Sequence, residues 1–508
     1  MTQTSTPQPG VSGMAAYVPA YRVNLEDWCQ WYQQPWEKID QIIGHSFRLT
    51  PADEDVYTMA ASAVLRLILQ YQIDPRQVGM LALGTESSLD NAIGAVIVRG
   101  LLDQALPQLG LPPLARDCEV PEYKHACLAG YYALKGALRY IANDGRQRQA
   151  LVVAADSAEY ARGSSGEPTQ GAGAIAFLVD DQAALFRLNL EQSGCASAYR
   201  GPDFRKPARR HHLPDYQVSA RRAHDFPVFS GQYSTFAYVD ETLQAVRAMW
   251  RRSDMQPWQS LQQVRGIFFH RPYHYMPVQG LSFIYIDALY QSGELEQLSQ
   301  LAAEHQISLT AVADELSQTP DLFNGIQHQP PCFPYPELSR LAAKLRRTKS
   351  FRQFQQDKLA PGVRQCMNLG NLYAASLPSW LAAGLETMAT MPGLNDDDVF
   401  WAIGYGSGDA AEAVPLRLSA GWRQPALKIG FNQALTMAHD LSREQYEALH
   451  DDARMPEHRP PTAFTIERIG DTASGELQDI GVPYYRFDPD AVASEQPDQS
   501  TQVVLSGG

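Results

Sequence analysis

Val78-Gly-Met-Leu-Ala-Leu-Gly-Thr-Glu86 is an apolar run that stops at a glycine, a threonine and a carboxylate. A run this short, with turn-forming residues at its end, reads as a buried strand. Its neighbours read as helices. Before it, Asp55 to Gln72 carries apolar residues at helical spacing, and after it Asn91 to Leu106 does the same. A third helix is expected over Leu128 to Asn143, with Tyr131, Leu134, Leu138 and Ile141 on one face. Ala150-Leu-Val-Val-Ala-Ala155 then reads as a strand closed by Asp156-Ser157, and Ala172 to Val179 as another. Strands separated by helices imply βαβ units, an α/β fold and a largely parallel sheet.

The texture recurs further on. Val264 to His270 is an expected strand, Asn371 to Thr390 a helix capped by its asparagine, and Val399 to Ile403 a strand before the turn Gly404-Tyr-Gly-Ser-Gly408. The order of elements therefore repeats, once over residues 13–220 and once over 221–420, although the two halves show no sequence repeat. Residues 287–364, rich in Gln, Leu and charge, read as a mostly helical insertion in the second half. Residues 421–489 form an expected extension on the core, with a helix over Ser442 to Asp451 and a strand pair within 463–488. The polar ends, 1–12 and 490–508, are expected to be disordered.

At 508 residues the chain is too long for one ordinary core, which fits two fused halves. No stretch reaches the roughly 18 uncharged apolar residues of a membrane span, and the start Met1-Thr-Gln-Thr-Ser-Thr-Pro7 lacks the regions of a signal peptide, so a soluble cytoplasmic protein is expected. The six cysteines, at 29, 118, 127, 195, 332 and 366, are spread singly, which argues for neither a disulfide framework nor a metal site. A formal charge of −14 disfavours nucleic acid as a partner. An anionic ligand must be met locally, and Arg205-Lys206-Pro-Ala-Arg209-Arg210 is the basic stretch that offers itself.

Chemistry points to four positions. Cys127 precedes the third helix, where unpaired N–H groups and the positive end of the macrodipole favour thiolate over thiol. Glu86 ends a strand beside small residues. His270 ends the strand Gly266-Ile-Phe-Phe-His270, and Asn371 follows a glycine at the start of a helix. Each has a plain structural reading when taken alone: a buried cysteine, a solvated carboxylate, a core histidine, an N-cap. Together a thiol, a carboxylate, an imidazole and an amide suit acyl transfer followed by carbon–carbon bond formation. A cysteine protease would use Cys, His and Asn but has no obvious need of Glu86.

In order, Gly84-Thr-Glu-Ser-Ser-Leu-Asp90, Lys124-His-Ala-Cys-Leu-Ala-Gly130, Gly166-Glu-Pro-Thr-Gln-Gly-Ala-Gly-Ala174, Phe269-His-Arg-Pro-Tyr273, Gly370-Asn-Leu-Tyr-Ala-Ala-Ser376 and Tyr405-Gly-Ser-Gly408 resemble motifs of the hydroxymethylglutaryl-CoA synthase family of thiolase-like condensing enzymes. The resemblance implies a duplicated α/β core in αβαβα layers and a homodimer. It implies that Cys127 is acetylated by acetyl-CoA, that Glu86 deprotonates the acetyl methyl, and that His270 polarises a β-ketoacyl thioester. Tyr160, Thr169, Asn371, Tyr373 and Ser407 would bind substrate, and neither metal nor redox cofactor is implied. Family members commonly place a lysine shortly after the histidine to meet CoA phosphate; here Arg271-Pro-Tyr-His-Tyr-Met-Pro-Val-Gln-Gly280 contains none. Arg205, Lys206 and Arg271 are the candidates to replace it. The 287–364 insertion is also longer than the family leads one to expect.

Three alternatives differ in what they need. A synthase of polyketide β-branching would take its acceptor from an acyl carrier protein, whereas one in isoprenoid precursor supply by the mevalonate pathway would use CoA. A ketoacyl-ACP synthase III-like enzyme would use Cys127, His270 and Asn371 but leave Glu86 idle. A non-catalytic scaffold would never acetylate Cys127.

Overall fold

The computed structural model describes residues 9–88, 90–203, 226–227, 230–320, 334–457, 460–475 and 478–495. Arg205, Lys206, Arg209, Arg210 and the tails 1–8 and 496–508 lie outside the described residues.

Ten strands make the main sheet: β1 (Gly10–Tyr17), β2 (Val78–Gly84), β3 (Glu122–Tyr123), β4 (Gln149–Ala158), β5 (Gly171–Asp180), β6 (Phe186–Leu188), β7 (Gly194–Ser197), β8 (Gly266–Phe269), β9 (Val399–Gly406) and β10 (Ala410–Leu418). Their order is β8-β9-β10-β6-β1-β5-β4-β2-β3, with β7 also on β10. The expectation of a largely parallel sheet is corrected. Only β2 with β3, β2 with β4, and β8 with β9 run parallel, while β1–β5, β4–β5, β9–β10 and β10–β6 are antiparallel. The turn Ser407–Asp409 is too short for the crossover that a parallel return requires, so β9 and β10 form a hairpin. That same hairpin absorbs most of the supposed Gly404–Gly408 turn into β9.

The halves do repeat one unit, a parallel pair followed by an antiparallel return: β2, β4, β5 and then β8, β9, β10. Because both faces of the first three are covered, their residues alternate between two cores. Met80, Ala82, Val152 and Phe177 point to one; Leu81, Leu83, Leu151 and Val153 point to the other. Helices α1 (Val56–Tyr71) and α2 (Gly94–Gln108) cover the outer side, α3 (Ala129–Ala142) and α6 (Ser376–Ala389) fill the middle, and α4 (Gln232–Ser253) with α5 (Met276–Gln291) covers the far side. Short strand β6 joins the two sets of strands, lying between β10 and β1.

Both presumed tails are shorter than expected. Gly10 to Ser12 belong to β1 and pair with the end of β5, and a helix over Pro489–Glu495 buries Ala491 and Val492. Among the described residues the insertion contains helices Glu296–Glu304, Leu309–Ser317, Pro336–Leu345, Lys349–Lys358 and Val363–Cys366; Pro336–Leu345 packs on α5, Lys349–Lys358 on β8 and Val363–Cys366 on α6. In the C-terminal extension, Phe464 and Phe487 of an antiparallel strand pair enter the core beside α1. Among the described residues no helix is long and apolar enough to cross a membrane.

Candidate active site

Duplication places the four chemical groups in matched positions. Glu86 and His270 follow the parallel strands β2 and β8, while Cys127 and Asn371 precede the two central helices α3 and α6. The carboxyl ends of those strands and the entrances of those helices meet in one cavity of about 190 Å³, lined by Cys127, Tyr160, Thr169, His270, Asn371, Tyr373 and Ser407 among others. Close approach makes this possible. A side chain at Gly130 would strike the Ala374 carbonyl, and Gly370, at φ +79°, leaves no room for a Cβ against the Gln170 carbonyl.

Cys127 lies just before Leu128, the N-cap of α3, and follows Ala126 in a left-handed conformation at φ 44°. Its Sγ donates to Glu86 Oε2 at 3.2 Å. Here the expected standing thiolate is corrected. Burial first, then the charges of Glu86, Asp156 and Asp203, hold the thiol well above its usual range. The helix end is outweighed by burial and by these carboxylates, so the resting group is S–H.

Glu86 is held by its backbone. Asp156, fully buried on β4, accepts at one oxygen from Thr85 Oγ1, the N–H groups of Glu86 and Ser87, and Ser87 Oγ, all within 2.6–2.8 Å. Its other oxygen accepts from the Ala374 N–H at 2.8 Å. One carboxylate thus ties the Glu86 loop to the Asn371–Ala375 turn, across the two halves. Asp156 is a residue the sequence reading missed, since Asp156-Ser157 was taken for the strand's end rather than its interior.

His270 is buried at 1% exposure. Its N–H donates to the Ile403 carbonyl at 2.7 Å, its carbonyl accepts from Tyr238 Oη at 2.9 Å, and its ring stacks on Tyr405. Nδ1 has no hydrogen-bond partner among the described residues. Burial, then the neighbouring Arg271 cation, pushes the imidazole down to about 3, so it is neutral at physiological pH. Asn371 is not the cap of α6, which begins at Ser376. Its Oδ1 accepts from the Tyr373 N–H and Ser376 Oγ, both at 3.0 Å, which turns the Nδ2 amide toward the cavity as a donor.

Arg271 does not serve the cavity: buried at 3% exposure, its guanidinium is engaged by the Cys366 carbonyl. Other lining residues escaped the sequence reading, namely Asp203, Ser234, Tyr238, Tyr273 and Tyr405. Asp203 accepts from Tyr405 Oη at 2.7 Å and stands beside a buried cluster in which Arg200 pairs with Asp240, Glu241 and Asp409. Burial, then the Asp203 charge, pushes Asp409 up to about 9. The signal for this cluster was faint, since its members are scattered over 200–241 and 409. Among the described residues no group of three or more His, Cys, Asp or Glu is placed to hold a metal.

The model of the N-terminal region of hydroxymethylglutaryl-coenzyme A synthase matches residues 6–184. The hydroxymethylglutaryl-CoA synthase of Haloferax volcanii is 26% identical over 82% of this chain and 84% of its own length, and that of Enterococcus faecalis 24% over 87% and 91%. Over most of its length the chain is similar to hydroxymethylglutaryl-CoA synthases. A solved family structure, MvaS in complex with 3-hydroxy-3-methylglutaryl coenzyme A, superposes with a TM-score of 0.71 at 25% identity, covering 94% of this chain and 99% of that one. The HMG synthase of the curacin biosynthetic pathway, solved with acetyl donor-ACP, has a TM-score of 0.66 at 18% identity over 95% and 100%, a likeness of fold. Both comparisons place this chain in the thiolase-like fold.

The C-terminal extension also bears on the cavity wall. Tyr446 donates to Glu167 at 2.8 Å and accepts from Gln170 Nε2 at 3.1 Å, and His450 Nε2 lies 2.9 Å from the Tyr160 carbonyl. These contacts fix the segment carrying Tyr160 and Thr169 from outside.

Proposed function

We propose that this chain is an acyltransferase that acetylates Cys127 from acetyl-CoA and condenses the acetyl group with a β-ketoacyl thioester, giving a 3-hydroxy-3-methylglutaryl-type thioester. The observation that carries the reading is the Cys127 Sγ to Glu86 Oε2 contact of 3.2 Å, beside a cavity that Cys127 lines together with His270 and Asn371. Cys127 sulfur attacks the acetyl carbonyl; its proton passes to the departing CoA sulfur. Glu86 then stands where it can take a proton from the methyl group now bound to that sulfur. The resulting carbanion adds to the ketone of the acceptor, forming the carbon–carbon bond, while the alkoxide takes a proton. Neutral His270 and the Asn371 amide, both buried, supply hydrogen bonds to carbonyl oxygens, where such bonds count most. Water cleaves the thioester to Cys127, leaving a free carboxylate on the product and restoring the thiol.

Every step is assigned to side chains, with acetyl-CoA as substrate and no further cofactor. A homodimer in the cytoplasm belongs to the same proposal, on the strength of family likeness. Intact mass after incubation with acetyl-CoA is the test: a gain of one acetyl group, lost from a Cys127→Ser variant and discharged by acetoacetyl-CoA with formation of product, is expected. No gain in mass would overturn the reading. Offering the acceptor on CoA and on a carrier protein in parallel assigns the carrier.

A further inference from the structure

Beyond the reaction cavity, across the ring of Tyr273, lies a second cavity of about 350 Å³. Successive residues of α4 divide between the two: Ser234 and Tyr238 face the first, Thr235 and Val239 the second. The second is lined by neutral polar groups, by the apolar Phe236, Val239 and Phe283, and by one charged side chain, Arg346, from the helical insertion. Its guanidinium donates to Tyr275 Oη at 3.1 Å and Ser282 Oγ at 2.8 Å, both neutral acceptors, and lies over the Tyr275 ring. No carboxylate pairs with it among the described residues. In the same wall Ser339 Oγ is buried and has no hydrogen-bond partner among the described residues. In a chain of net charge −14, a half-buried arginine held by hydroxyls, with no carboxylate partner among the described residues, is a prepared anion site.

The geometry points to this cavity as the seat of the phosphate of the thioester's phosphopantetheine arm, read by Arg346, and it rests on the function proposed above. Arg346 hydrogen-bonds and stacks on Tyr275, in the lysine-free stretch after His270, so the insertion brings the cation that the local sequence lacks. The chemistry required is that of a phosphate ester: a planar guanidinium edge for two oxygens, with Ser339 and Gln279 as neutral donors beside it. CoA and a carrier protein both present such a phosphate.

Binding separates this inference from the catalytic one. In the full-length protein, Arg346→Gln is expected to raise the Kd of CoA, of a holo-carrier protein, or of both about tenfold by calorimetry, and to lower about tenfold the preference for the phosphorylated acetyl donor over acetyl-pantetheine in Cys127 acetylation. Arg346→Lys should recover part of each effect. Unchanged Kd for both ligands, or equal loss with acetyl-CoA and acetyl-pantetheine, would overturn the site. Weakened CoA binding in a protein that never acetylates Cys127 would keep the site and sink the proposed reaction.

Discussion

Cys127 Sγ and Glu86 Oε2 stand 3.2 Å apart, the thiol donating to the carboxylate. The pair joins a loop after β2 to the approach of α3, and the Glu86 charge adds to burial in holding the thiol up. Glu86→Gln removes the charge that helps hold the thiol up, so alkylation of Cys127 by iodoacetamide should speed up at neutral pH. A pH profile of alkylation that stays where it was would show that burial alone governs the thiol.

The same variant separates the two chemical stages. With its base gone, condensation should slow by ~10²–10⁴-fold, while the acetyl-enzyme still accumulates on intact-mass analysis. Undiminished condensation would favour a decarboxylating mechanism with no role for Glu86.

Asp156 predicts a structural failure. It accepts from donors in both halves at once, and Asp156→Ala strands several buried N–H and O–H groups. Each costs ~1–3 kcal/mol, so a loss of stability of about 3 kcal/mol or more is expected in urea unfolding, with loss of Cys127 acetylation. A stable variant would mean that water replaces the carboxylate.

His270 predicts an acid limb. The folded imidazole titrates at about 3, well below the ordinary ~6.5, so in between the unfolded chain holds a proton that the folded chain does not. Its contribution to stability is therefore complete above that window and falls as pH drops through it, by at most ~1.4 kcal/mol per pH unit. Thermal unfolding of His270→Gln between pH 7 and 4.5 should show a shallower fall than the unaltered protein; equal slopes would mean that the ring takes up its proton while folded.

Tyr446→Phe deletes the hydroxyl bonded to Glu167 and Gln170. About 1–2 kcal/mol of stability should go, and the KM for acetyl-CoA should rise more than kcat falls, because what loosens is the wall carrying Tyr160 and Thr169. A fall in kcat alone would place Tyr446 nearer to the reacting atoms than its position on the outside of that wall.

The βαβ texture, the doubled order of elements and the helices α1 and α3 were legible because apolar spacing records which faces are buried. Strand direction was not. Val399–Ile403 looks the same whether its partner runs with it or against it, and the sense of β10 follows from a turn at Ser407–Asp409 whose brevity matters only once β9 is known to reach Gly406. Asp203 and Arg346 were invisible for a related reason: each acquires its role from neighbours far away in the chain, Tyr405 in one case and Tyr275 with Ser282 in the other.

By itself the sequence determined the inventory, a thiol, a carboxylate, an imidazole and an amide beside strand ends and helix starts, and through the motifs around them the likeness to hydroxymethylglutaryl-CoA synthases. Only the tertiary structure decided their states: a protonated Cys127 where the helix end alone argued for thiolate, a neutral His270, a sequestered Arg271. Charge and proton affinity depend on burial and on groups brought within a few ångströms from both halves, and those distances come into being when the halves pack against each other.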